Sequence, residues 1–230
     1  MNERLVSDRI QCIASFLPRG ALFADIGSDH AYLPVYVCHM DEQAKAIAGE
    51  INEGPYQSAK STVAEEGLTD RIEVRKGDGL AVISANEVNQ VVIAGMGGSL
   101  ISTILEKGKE KLAGVGQIIA QPNVEARAVR VWLQENGYRL NGEAIIEEAG
   151  HIYEVISAIS SNIAYSMTET ELLLGPYLMK EKSDPFQRKW KMELEKRERV
   201  IKQMKKAKYP DVKKMEIFRH EIKLIKEVLT

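Results

Sequence analysis

Apolar positions recur along this chain with two periods, and the alternation between them sets out its elements. Over residues 5–17 they fall at Leu5, Val6, Ile10, Ile13, Ala14 and Leu17, a helical spacing ended by Pro18-Arg19-Gly20. Short apolar runs then alternate with helical stretches. A strand is predicted over residues 22–26 with a helix over 31–40, and a second strand over 44–51, finishing on Glu50. Asn52-Glu53-Gly54-Pro55 opens a helix that runs to Glu66 and stops at Gly67. Residues 71–76 alternate apolar and charged, so this third strand has one wetter face. Residues 91–94 are wholly apolar and predict a central strand. Gly95-Met96-Gly97-Gly98 then leads to Ser99, read as the N-cap of a helix over 100–107. A fifth strand spans 117–121, and Pro122-Asn123 caps a helix over 124–136, closed by Gly137. Strands at 138–146 and 151–160 are joined by so short a turn that they must be antiparallel.

From Thr168 the pattern becomes helical throughout. Gly175 and Pro176 interrupt a first piece, and residues 186–207 carry Trp190, Leu194, Val200, Ile201 and Met204 on one side. After Tyr209-Pro210-Asp211, Met215, Phe218, Ile222, Ile225 and Leu229 follow at spacings of three and four, a heptad seam. Two such helices around one break predict an antiparallel coiled-coil hairpin. The division is 1–160 for the α/β body and 161–230 for the helical part.

Charge sharpens that division. The net −2 of 230 residues hides +6 over residues 161–230 (17 Lys and Arg against 11 Asp and Glu) and −8 over residues 1–160. A basic appendage on an acidic body suits a polyanionic partner, or is simply a solvated lysine-rich face. Lys202, Lys205, Lys206, Lys208, Lys213 and Lys214 crowd around the break. No apolar run is long enough to span a membrane and no basic-then-apolar leader opens the chain, which leads to the expectation of a cytoplasmic protein. Cys12 and Cys38 form no CxxC and read as reduced core residues. The four histidines share no ligand spacing with them, so no metal is expected.

The chemistry concentrates in Asp25-Ile26-Gly27-Ser28-Asp29-His30-Ala31-Tyr32-Leu33-Pro34. An apolar strand ending in Asp-x-Gly and turning at once into a helix puts backbone N–H groups and a carboxylate at the edge where open α/β sheets bind ligands. Asp25 suits a cationic or hydroxyl-bearing ligand better than a pyrophosphate. Asp25 and Gly27 match the first motif of class I S-adenosylmethionine-dependent methyltransferases, while Asp29 and Ala31 replace its later glycines. The full string, with Ala94-Gly95-Met96-Gly97-Gly98 and Gln121-Pro122-Asn123, resembles the bacterial tRNA methyltransferases that modify N1 of adenine 22.

That resemblance implies an α/β fold: a Rossmann-like class I methyltransferase sheet with an antiparallel last strand, plus a C-terminal α-helical coiled-coil hairpin. It implies S-adenosyl-L-methionine held by Asp25, Gly27, Ser28, Glu50, Asp78, Gly79 and Gly95. Within this set Glu50 takes the ribose hydroxyls, and Asp78 takes the adenine amine or serves only as a turn residue. Met96, Gly97, Gly98 and Asn123 fall to the substrate side, Asn123 as a base contact or an N-cap. The residues Asp/Asn-Pro-Pro-Tyr that grip an exocyclic amine are absent, which argues against N6 as the target. Asp29 is the first candidate for a carboxylate near the reacting base, or else it holds the methionine amine. His30 is the second catalytic candidate, and Tyr32 is a base-stacking or a core residue. Lys205, Lys206 and Lys208 are assigned to tRNA phosphates, the alternative being a hairpin that pairs with a second subunit; the expected state is a monomer or weak homodimer. A small-molecule methyltransferase and a non-enzymatic RNA-binding module on a Rossmann-like body are the competing readings.

Overall fold

The structure, a computed structural model, describes residues 7–230, so Leu5 and Val6 lie outside the described residues. The chain divides into two compact units that meet at Tyr165 and Ser166.

The first unit is built on one seven-stranded sheet. β1 (Leu22–Ile26) lies parallel between β2 (Lys45–Glu50) and β4 (Gln90–Gly97). β3 (Ile72–Lys76) adds beyond β2 and β5 (Gln117–Val124) beyond β4, again parallel. β7 (His151–Ser160) inserts antiparallel between β5 and β6 (Tyr138–Glu148), giving the order β3-β2-β1-β4-β5-β7-β6. The strand that contains the wholly apolar stretch 91–94, β4, is therefore central and the alternating β3 lies at an edge. Each inner strand is apolar on both faces because helices cover both. Phe23, Val92, Ile119 and Val155 pack under α1 (Asp8–Ala14), α2 (Tyr32–Met40) and α3 (Glu53–Glu65). α4 (Gly98–Lys107) and α5 (Ala126–Glu135) pack against β4, β5 and the hairpin. Between α5 and that hairpin, the wholly buried Arg130 pairs with Glu143 at 2.7 Å and Glu154 at 2.5 Å.

Three strands run further than their sequence suggests, β6 by Glu147 and Glu148, which pair with β7. Gly95, Met96 and Gly97 stay in β4, and Pro122, Asn123 and Val124 stay in β5, paired across register shifts at Met96. The helices that follow accordingly start elsewhere. Gly97, not Ser99, is the N-cap of α4, and Glu125, in the left-handed region, precedes α5 in place of Asn123. The side chains of Ser99 and Glu125 hydrogen-bond each other instead, at 2.6 Å.

In the second unit a capping box of Thr168 and Glu171 starts α6 (Glu169–Leu174), and Gly175 and Pro176 separate it from the single turn α7 (Leu178–Glu181). α8 (Asp184–Met204) and α9 (Val212–Leu229) form an antiparallel pair that buries Trp190, Ile201, Met215 and Ile225. Arg197 with Glu221 and Glu198 with Lys226 tie the two helices at 2.7 and 2.8 Å.

Candidate active site

At the carboxyl end of β1 the chain turns sharply. Gly27 sits at φ 75°, and its N–H and that of Ser28 both donate to the Gly49 carbonyl on β2, at 2.8 and 2.9 Å. A Cβ at position 27 would lie 2.2 Å from Met96 Cε, which can swing aside, so it is the left-handed backbone of the turn that favours glycine here. Asp25 is buried one residue before the turn. Burial pushes its carboxyl up to about 6, and the nearby Ser28 hydroxyl draws it partly back. That hydroxyl is itself buried and makes no hydrogen bond of good geometry among the described residues.

Beside this turn opens a cavity of about 370 Å³, bounded by Gly27, Gly49, Ile51, Gly77, Asp78, Gly79, Leu80, Met96 and Ile104 among others. Glu50 lies between two of these lining residues at the end of β2. Its side chain is buried, and Oε1 accepts from the Asn52 N–H at 2.7 Å. Asp78 is exposed just beyond β3. Three neighbouring strands thus each deliver one carboxylate to the same edge: Asp25, Glu50 and Asp78. Gly27, Asp78, Gly79 and Met96 line the cavity itself, and Asp25, Ser28, Glu50 and Gly95 stand beside residues that do.

The bulged ends of β4 and β5 carry a side-chain network. Gln121, wholly buried, accepts on Oε1 from Arg9 Nη1 at 2.7 Å and from the Gly95 N–H at 3.2 Å, and donates from Nε2 to Asn123 Oδ1 at 3.0 Å. Asn123 Nδ2 closes the ring by donating to the Gly95 carbonyl at 2.8 Å. Asn123 therefore braces Gly95 from beyond the expected strand end. Gly97 follows, and a Cβ on Gly98 would meet the Glu125 carbonyl oxygen at 2.1 Å. Arg9 was not among the residues expected at the site, and Gln121 was expected only as part of the Gln121-Pro122-Asn123 string, with no role of its own.

Asp29, His30 and Ala31 form a tight turn at the same edge. Asp29 is 71 % exposed at its side chain and its Oδ1 lies 3.4 Å from His30 Nε2, while His30 Nδ1 is 2.5 Å from Ser58 Oγ on α3. Tyr32 is half exposed rather than core, and its ring stacks on His30 with centroids 5.2 Å apart. An exposed stack of this kind beside a row of acids at a sheet edge suits a flat, nitrogen-containing ligand.

The family described as TrmK, tRNA (adenine(22)-N(1))-methyltransferase, matches residues 23–227. This chain belongs to that family. Among its curated relatives is the Bacillus subtilis tRNA (adenine(22)-N(1))-methyltransferase, 43% identical over 235 residues that span 100% of this chain and 99% of that protein. The crystal structure of the B. subtilis TrmK superimposes with a TM-score of 0.92 at 42% identity, covering 99% of this chain and 100% of that one. A Streptococcus pneumoniae protein solved in complex with S-adenosyl-L-methionine gives 0.88 at 40% identity, covering 98% and 100%.

The family match takes in both compact units, since it runs on through α8 and most of α9. Lys205, Lys206 and Lys208 all lie exposed between these two helices, with Lys208 over the ring of the exposed Tyr209. Among the described residues no group of His, Cys, Asp and Glu could hold a metal ion, and no helix is long and apolar enough to cross a membrane.

Proposed function

We propose that this TrmK-family protein methylates N1 of adenine 22 in tRNA, using S-adenosylmethionine as methyl donor. The observation that carries the reading is the row of carboxylates that β1, β2 and the end of β3 bring to one sheet edge, beside a cavity that Asp78 lines. The donor offers an ammonium group, two ribose hydroxyls and an adenine amine, and each is a hydrogen-bond donor for an acid. The buried, unmatched Ser28 hydroxyl and the side-chain-free wall of Gly27, Gly49, Gly77 and Gly79 fit the same group.

When bound, S-adenosylmethionine supplies a methyl group on positively charged sulfur, open to in-line attack by a ring nitrogen. Holding the two reactants in line does most of the work. Glu50 has one carboxylate oxygen engaged by Asn52 and offers the other to the ribose hydroxyls. Asp78 and Gly79 receive the cofactor's adenine, and Asp25, Gly27, Ser28 and Gly95 its methionine end. Met96, Gly97, Gly98 and Asn123 form the wall against which the target base lies. N1 is on the pairing edge, so the base must leave its pair to reach this wall. Its ring gains positive charge on methylation, and the Asp29 carboxylate stabilises that charge or takes an N6 proton. Lys205, Lys206 and Lys208 hold tRNA phosphates, positioning the substrate without reading its sequence. The protein works in the cytoplasm, as a monomer or weak homodimer.

The test is transfer of labelled methyl to a transcribed tRNA, with the product located by mass spectrometry. N1-methyladenosine at position 22, lost when that adenine is replaced by guanine, is expected. Equal labelling of both transcripts would refute the assignment.

A further inference from the structure

We propose that Ser58 is a positioning residue for methyl transfer: its hydroxyl fixes the tautomer of His30, and His30 aims the Asp29 carboxylate. The proposal rests on the reading that Asp29 serves the target adenine.

The turn that holds these residues is held from outside. His30 and Ala31 stand consecutively in the left-handed region, at φ 57° and 55°, although each carries a Cβ. Single residues of this kind are costly, and a pair persists only where the surroundings impose it. Ala31 is wholly buried, and α3 packs on the turn. The hydrogen bond between His30 Nδ1 and Ser58 Oγ, 2.5 Å long, is the side-chain link from α3 to this turn.

Donor and acceptor roles follow from what faces each ring nitrogen. A neutral imidazole carries one N–H and one lone pair. Nε2 faces Asp29 Oδ1 at 3.4 Å, and a carboxylate only accepts, so the proton belongs on Nε2. Nδ1 then holds the lone pair, and the Ser58 hydroxyl must donate to it. The Tyr32 ring, nearly parallel at 18°, clamps the imidazole on its face. With Nδ1 bonded to Ser58 and the Nε2 proton facing Asp29, His30 presents no free lone pair to a substrate. It is therefore the support, and Asp29, largely exposed, is the group that meets the base. Without Ser58 the imidazole reverts to a mixture of tautomers, and in one of them a lone pair faces the carboxylate and repels it.

The experiment uses the full chain with Ser58→Ala, Ser58→Thr and Asp29→Asn. Nitrogen-15 NMR of the histidines should show His30 as the Nε2–H tautomer in the wild type and in Ser58→Thr, and as a mixture in Ser58→Ala. At saturating tRNA and cofactor, kcat of Ser58→Ala should fall about tenfold, as for loss of one hydrogen bond acting in the transition state. Cofactor affinity by calorimetry should hold, and Ser58→Thr should recover most of the rate. A His30 tautomer that does not change in Ser58→Ala overturns the proposal. So does a kcat that falls only in step with cofactor affinity, the mark of a structural role. If Asp29→Asn slows turnover while Ser58→Ala does not, the proposal fails and the proposed function stands. If Asp29→Asn turns over normally, the role given to Asp29 fails with it, whatever the histidine spectra show.

Discussion

Asp25 has a folded-state value near 6, above the ordinary 3.8, because burial penalises its charge. The native state therefore holds a proton that the unfolded chain has released between those two values. The stabilisation this gives is complete below the window and is lost as pH rises through it, by about 3 kcal/mol in all. Urea unfolding at about pH 5 and pH 7 should show the wild type losing more stability across that interval than Asp25→Asn. Ligand binding runs the other way: a cofactor amine needs the carboxylate, so calorimetric affinity should weaken as pH falls through 6. Glu50→Ala tests the neighbouring acid. It removes the acceptor proposed for the two ribose hydroxyls, at a cost of about 1.5–3 kcal/mol for a charged hydrogen bond, so affinity should drop tenfold or more with the fold intact. These acids were legible in the sequence because strand ends and glycine turns fix their place along the chain. Ser58 was not, because one serine on a half-buried helix face looks the same whether or not a histidine ring lies across from it. Asn123 was legible as polar and near the site, but it is not the N-cap, and its amide braces Gly95 instead.

Among the elements, the antiparallel hairpin followed from turn length and the central place of β4 from its apolar run, whereas the insertion of β7 between β5 and β6 and the ends of β4 and β5 did not. Glycines and a proline read as strand breakers, whereas here the amides of Gln121 and Asn123 supply hydrogen bonds that the bulged backbones lack. That junction is tight. Gly98→Ala places a methyl against the Glu125 carbonyl, which is backbone and cannot swing aside. The variant should fold with reduced stability and lose tRNA turnover by more than cofactor affinity, measured on the same preparation. The hairpin is fixed by another device. Glu143 and Glu154 share a sheet face and both grip Arg130 of α5, so a one-residue slip would turn both acids away from a buried guanidinium. Arg130→Met strands two buried carboxylates and should cost about 3–5 kcal/mol in urea unfolding. Adding Glu143→Leu and Glu154→Leu should restore much of it.

At the scale of the whole molecule, the body carries −8 and the helical unit +6. A cluster of like charges between α8 and α9 repels itself, and phosphate contact is the use proposed for it. Replacing Lys205, Lys206 and Lys208 together by Ala should flatten the salt dependence of tRNA binding by about two to three units of slope, at roughly 0.7–0.9 per phosphate contact. A chain ending at Tyr165 should keep cofactor affinity and lose tRNA affinity. If light scattering instead shows that the shortened chain changes its mass, while the lysine changes leave tRNA binding untouched, the hairpin joins subunits. The place of β7 has a consequence for how the molecule is made. β6 leaves the ribosome first, but its one neighbour in the sheet is the strand that follows it, and β5 keeps an open edge until the same strand arrives. The catalytic body therefore cannot close during synthesis until Ser160 is free. The residues that follow Ser160 occupy the exit tunnel at that point, so β7 can pair while translation is still under way.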